Sequence, residues 1–486
     1  MTAMRHYLFF LILIFSSSAI CNGEQSEEVF KETHHEVVIE GKKIPYRAVA
    51  GNFILRDEAQ KPIGNLFWVS YSRDELADQP NRPVTFCFNG GPGASSVWLN
   101  LGLLGPKKIQ VTEKREAIPP YQLVDNPLSL LDVTDLVFID PISTGYSYAI
   151  PNESAKKFHG VEEDTKVMAE AIRLYLEKYN RWNSPKYLLG ESYGTLRAVT
   201  LASYLHNNAF IYLNGVILIS SVLSFNMIDF DLGNDLPYLL FLPSYTATAW
   251  YHKKLPSALQ GDLFLALDQS KAFAAQDYAA ALFKGDSLPA EQKNSIAEKL
   301  SSFTGLSSEY ILNANLRVDF GHFAKELLRD QQRTVGRFDS RFEGIDGDGI
   351  GSYIEYDPSL NNVLGAFTAA YTQYLKSDLN WNSDLPYYSL RNLDRWDYGK
   401  DNQYKNVLGI LRNLMSKSRR LNIFVASGYY DLATPFFGTQ YTFNHLGLDP
   451  SLIDQITLKY YQGGHMMYTN PSVQVQLRKD LLNFYH

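Results

Sequence analysis

Six short stretches of the chain are apolar almost without interruption: Pro83 to Phe88, Thr134 to Asp140, Lys186 to Leu189, Leu213 to Ser220, Leu421 to Ser427 and Ile456 to Tyr460. Each is rich in Val, Ile, Phe or Tyr, the pattern of strands buried on both faces. Between the second and third, Met168, Ile172, Leu176 and Tyr179 recur at helical spacing along one face of Val161 to Tyr179. A second helix is predicted over Thr195 to Asn207, directly after the third strand. Strands that alternate with helices in this way predict an α/β fold, a mostly parallel sheet with helices on both faces.

The alternation stops near Ser224. From there to about Leu390 the pattern is polar and helical, with helices expected over Tyr278 to Lys284, Ala290 to Leu300 and Phe323 to Asp330. A Gly/Asp-rich stretch, Glu343 to Gly351, interrupts them. Its run Asp346, Gly347, Asp348, Gly349 faintly resembles a calcium loop, but Ile350 breaks the alternation of ligands, so a surface turn is expected. The prediction is a core formed by residues 24–223 and 396–486, interrupted by one mainly helical insertion at 224–395, with no internal repeat.

Residues 1–23 have a different character. Arg5 lies in a short basic start, Tyr7 to Phe15 is unbroken apolar, and Ser16 to Gly23 is rich in small residues. This is the layout of a secretory signal peptide, and its apolar run is well short of the roughly 20 residues that span a bilayer as a helix. A periplasmic or secreted protein is expected, with no stable membrane insertion. Cys21 follows Ile20, a poor lipidation site because the residue before a lipidated Cys should be small. The chain has only two cysteines, so no intrachain disulfide is expected, which suits a bacterial envelope protein better than an animal or plant secreted one. Cys87, inside a strand, reads as a buried small hydrophobe.

The 486 residues include 45% hydrophobic and 20% charged side chains, a globular composition that excludes collagen, coiled-coil and polytopic membrane architectures. A net charge of −7 gives no electrostatic footprint for nucleic acid.

Chemistry enters at Gly190, Glu191, Ser192, Tyr193, Gly194, a G-x-S-x-G placed between a predicted strand and a predicted helix. A serine on such a turn is lifted clear of the sheet, and the glycines permit the close approach of neighbouring backbone. Its hydroxyl needs a base, and the base needs an orienting acid. The order Ser, acid, His is met by Asp431, in the loop after Leu421 to Ser427, and by His465, in the Gly-flanked loop after Ile456 to Tyr460. The stretch from Ser192 to Asp431 is several times longer than that from Asp431 to His465. An insertion there emerges at the carboxyl ends of the strands and is expected to cap the substrate crevice. Several backbone N–H groups of the loop Asn89, Gly90, Gly91, Pro92, Gly93, in which Pro92 itself has none, and the N–H of Tyr193 are candidates to stabilise an oxyanion.

These motifs resemble those of the serine carboxypeptidases, an α/β-hydrolase family with a cap insertion. The likeness rests on NGGPGASSVW (Asn89 to Trp98), DLVFIDPISTGYSY (Asp135 to Tyr148), GESYG (Gly190 to Gly194), SGYYDLATP (Ser427 to Pro435) and GGHMM (Gly463 to Met467), in the family's order. The cap, with GNDLPYLLFLP (Gly233 to Pro243) and GRFDSRF (Gly336 to Phe342), resembles the bacterial branch. The resemblance implies Ser192, Asp431 and His465 as the catalytic triad and the amides of Gly91 and Tyr193 as the oxyanion hole. It implies that Asn89, the Gly90 amide and Glu191 hold the terminal carboxylate of a peptide substrate, and that Met466 packs beside the leaving residue. No metal or organic cofactor is implied. Glu191 has its own logic: it can face a carboxylate only if the pair shares a proton, so burial should raise its pKa and favour acid pH. Where the family often has a second Glu bonded to this one, Leu103 stands, and Cys87 replaces a usual Trp.

The leading expectation is a carboxypeptidase acting through an acyl-enzyme. An esterase or acyltransferase on the same triad is the alternative, since one fold hosts many chemistries. A binding protein with a vestigial site is disfavoured by Ser, Asp and His all standing in their separate motifs.

Overall fold

A computed structural model describes residues 27–74, 81–112, 116–150, 153–399 and 403–485. The expected signal peptide and Cys21 lie outside the described residues. The core is a ten-stranded sheet. Its main strands are β1 (Phe30–Ile39), β2 (Lys42–Arg56), β3 (Pro62–Arg73), β4 (Val84–Phe88), β5 (Asp135–Ile139), β6 (Lys186–Glu191), β7 (Gly215–Ile219), β8 (Asn422–Gly428) and β9 (Ile456–Tyr461). Their spatial order is β1-β2-β3-β5-β4-β6-β7-β8-β9, and a short strand at Tyr148–Ala149 pairs with β3. All pairings from β5 to β9 are parallel, as the apolar runs predict, and every residue of β4, β5, β6 and β7 is buried.

The pattern did not reveal β1, β2 and β3, which form an antiparallel edge joined to β5. The reason is visible in β1, whose outer residues Lys31, Glu32 and Glu36 are exposed, so its sequence reads as polar.

Two buried clusters cover the sheet. On one side, α1 (Val161–Lys178) and α2 (Tyr193–Tyr204) contribute Met168, Ile172, Leu176, Leu196 and Val199. The other side includes residues from α4 (Pro358–Ser377) and α6 (Pro471–Tyr485), among them Phe367, Tyr371, Leu477 and Leu481. The insertion has its own core, in which α3 (Leu236–Tyr251) supplies Phe241 and Tyr245, and Tyr245 stacks on Phe323 at 4.1 Å between centroids. Helix α3 is apolar nearly all round and contains Pro243, so it lacks the periodic stripe by which a surface helix is recognised. Helix α5 (Phe436–Asn444) packs against α3 and links insertion to core.

The Gly/Asp-rich stretch is an exposed loop organised around a side chain of the protein itself. The buried Lys325 ammonium donates to Asp346 Oδ2 at 2.6 Å and to the Asp348 carbonyl at 2.5 Å. No helix among the described residues is long and apolar enough to cross a membrane.

Candidate active site

Each expected site residue follows the carboxyl end of a parallel strand. Asn89, Gly90 and Gly91 follow β4; Glu191 ends β6 and Ser192 comes next; Asp431 lies three residues past β8 and His465 four past β9. Asn89, Gly90, Gly91, Glu191, Ser192, Tyr193, His465 and Met466 line one cavity.

Ser192 has φ 59° and ψ −130°, a conformation that costs a non-glycine residue roughly 1–3 kcal/mol. The turn is tight enough that a Cβ on Gly190 would come within 2.1 Å of the Gly194 carbonyl oxygen. A Cβ on Gly90 would lie 2.5 Å from the Tyr193 nitrogen, so the loop after β4 and the start of α2 touch backbone to backbone. Tyr193 opens α2, which leaves its N–H among the donors without an intrahelical acceptor. Beneath the first loop, Arg197 donates to the Asn89 carbonyl at 2.5 Å and to Asp164 at 2.6 Å. Removing one member of such a buried pair costs about 3–5 kcal/mol.

The buried Asp431 carboxylate is held by the amides of Ala433 (2.7 Å) and Thr434 (2.9 Å) and by the Thr434 hydroxyl (2.7 Å), and it lies 2.8 Å from His465 Nδ1. Burial lowers the affinity of His465 for a proton, but the charge and hydrogen bond of Asp431 outweigh it and the pKa is raised. The imidazole stacks on Phe338 at 4.6 Å, and the His465 amide donates to the Phe338 carbonyl at 2.5 Å. The same segment of the insertion accepts a hydrogen bond from the Leu432 amide at Arg337 and donates one from Ser340 to Tyr430. The insertion therefore braces the loops of both Asp431 and His465, a role that the sequence pattern did not expose. No hydrogen bond joins Ser192 Oγ to His465 among the described residues; contacts of this kind often tighten only when substrate binds.

Glu191 is buried beside the serine. Burial is the largest influence on its carboxyl group and pushes the pKa up to about 7, against the pull of His465, Tyr468 and Asn89. Its direct partner is the Tyr468 hydroxyl, which donates to Oε2 at 2.5 Å across 277 residues of sequence. Leu103 is buried in the apolar core, and a Cβ on adjacent Gly102 would meet the Tyr468 ring at 2.6 Å. A phenol thus occupies the role of partner to Glu191. The one signal in the sequence was its position two residues beyond Met466. Cys87 is buried, and desolvation drives its thiol well above the ordinary range, as befits an inert core residue.

A serine on a strained strand-to-helix turn, with a His–Asp pair on later loops of a mostly parallel sheet, defines an α/β-hydrolase. The sequence profile of the serine carboxypeptidases matches residues 57–472, and the chain belongs to that family. It is 28% identical over 149 residues to serine carboxypeptidase-like 20 of Arabidopsis thaliana, an alignment covering 29% of this chain and 28% of that protein. It is 30% identical over 129 residues to the vacuolar serine-type carboxypeptidase ATG42 of Saccharomyces cerevisiae, covering 26% of this chain and 22% of the relative. The chain thus spans about a quarter of the length of the curated relatives it matches. Its fold is that of the prohormone-processing carboxypeptidase KEX1(delta)p from Saccharomyces cerevisiae, with TM-score 0.55, 17% identity, and coverage of 90% of this chain and 91% of the other.

Proposed function

We propose that the protein is a periplasmic or secreted bacterial serine carboxypeptidase, which releases C-terminal residues from peptides through an acyl-enzyme. The observation that carries this reading is the buried Glu191 beside the nucleophile, with its pKa raised to about 7. A carboxyl group that stays protonated in mildly acidic solution can share its proton with a substrate carboxylate, a task that an esterase does not require.

In this mechanism the terminal carboxylate is held by Glu191, Asn89 and the Gly90 amide, with Met466 beside the leaving residue. Ser192 Oγ bonds to the scissile carbonyl carbon as His465 Nε2 takes its proton, and Asp431 holds Nδ1–H and stabilises the imidazolium. The amides of Gly91 and Tyr193 receive the charge that develops on the carbonyl oxygen. His465 then passes the proton to the departing amine. Water, deprotonated by the same imidazole, cleaves the ester and restores the serine.

The reading is tested with an N-blocked dipeptide, its C-terminal amide and a simple ester. The free acid is expected to be strongly preferred over the amide. Ester turnover without release of an amino acid would replace the reading with the esterase or acyltransferase alternative.

A further inference from the structure

Within the insertion, GRFDSRF places two arginines in opposite situations. Arg341 is bidentate to Asp339, at 2.8 and 2.6 Å. Arg337 lines the cavity of Ser192 and His465, yet its guanidinium has no hydrogen bond or ion pair among the described residues. Its Nε is fully buried and without a partner, while the group lies over the rings of Phe320 and Phe338, at 5.0 and 5.9 Å from their centroids. The other well-buried guanidinium groups follow a different rule: Arg181, Arg197 and Arg478 are paired with Asp135, Asp164 and Asp132.

The carboxylates whose charge acts on Arg337 are Asp357 and Asp431, and both are committed elsewhere. Asp357 accepts from the amides of Arg337, Phe338 and Ser359 and from the Ser359 hydroxyl. Asp431 is occupied by Ala433, Thr434 and His465. A planar cationic fork that lies near two aromatic rings and lines a cavity matches a carboxylate that arrives from outside.

We propose that Arg337 receives the side-chain carboxylate of an Asp or Glu adjacent to the scissile bond, making acidic peptides the favoured substrates. This rests on the peptidase reading above and specifies its substrate class. The terminal carboxylate is assigned to Glu191, Asn89 and the Gly90 amide on the strand-end side of the cavity, whereas Arg337 enters its lining from the insertion.

The test compares N-blocked peptides carrying Glu or Gln on either side of the scissile bond, near pH 6, where a side-chain carboxylate is ionised. The intact chain should show a Glu:Gln ratio in kcat/KM of about tenfold or more at one of the two positions, the size of a charge-assisted hydrogen bond. Arg337→Met should bring that ratio close to one, and Arg337→Lys should retain part of it. A ratio at or below one at both positions in the parent overturns the inference alone, with no variant needed. A ratio that survives in Arg337→Met also overturns it. So does a variant that loses discrimination between free acid and amide while keeping the Glu:Gln ratio, because the arginine would then hold the terminal carboxylate. A parent that cleaves neither Glu nor Gln peptides overturns the peptidase reading, and this inference with it.

Discussion

The sheet and the insertion treat the same cavity differently. On the sheet side, the expected reacting groups stand at strand ends, and backbone contacts with no room for a side chain fix the spacing between Ser192 and the loop at Gly90. On the insertion side, the lining comes from separate stretches that include Phe225, Ile228, Leu360 and Leu390, and the segment with Arg337 and Phe338 meets the loops of Asp431 and His465 through backbone hydrogen bonds to Leu432, Tyr430 and His465. Under the proposed function the difference teaches a division of labour: strand ends would set the chemistry, and the insertion would shape what can be bound.

The most severe way to probe the sheet side is Ser192→Ala. Peptide turnover should fall by about four to six orders of magnitude, and labelling by a fluorophosphonate probe should disappear. Wild-type rates in this variant would remove the serine from the mechanism. Asp431→Asn should follow, with a loss of about 10⁴ in kcat, because an amide cannot hold the same imidazole tautomer. Its effect should be seen equally on peptides and esters, which distinguishes it from variants of the insertion.

Replacement of Glu191 acts on binding instead. In the parent the carboxyl group is mostly protonated below its pKa of about 7, so recognition of a free carboxylate should be present there and weaken as pH rises through that value. Above it, kcat/KM should fall roughly tenfold per pH unit, while Glu191→Gln should remove this alkaline limb. At the acid end, a raised His465 pKa makes the imidazole protonate sooner, so activity should decline as pH falls below that pKa. An alkaline limb that persists in Glu191→Gln would show that another group titrates there. The smallest effect is expected from Tyr468→Phe. The phenol's hydrogen bond pulls the Glu191 pKa down, so its loss should move the alkaline limb to higher pH with only a few-fold change in maximal rate. A limb that moves the other way, or not at all, would contradict the role given to this phenol.

The two regions also differed in how far they could be read from sequence. Strands β4 to β8 were legible because burial on both faces leaves almost no polar positions, and β9, a partly buried edge strand, by its Ile, Leu and Tyr residues; the proposed Ser192, Asp431 and His465 could be picked out because each stands just past such a strand. Strand β1 was hidden by its exposed charges, and α3 by its uniform apolarity. Tyr468 and Arg337 escaped for another reason. A tyrosine two residues past Met466 carries no local mark of its partner 277 residues away, and an arginine shows that it lacks a carboxylate only once its neighbours' hydrogen bonds are known.

The main-chain contact at Gly90 has a consequence for how such a protein can change. With no side chain between them, the loop after β4 and the start of α2, the two halves of the proposed catalytic apparatus, share a clearance set by main-chain atoms alone. Selectivity can therefore drift, one wall residue at a time, around a reaction centre whose dimensions stay constant, and the few positions closed to that drift are those where even a methyl group would force the two loops apart.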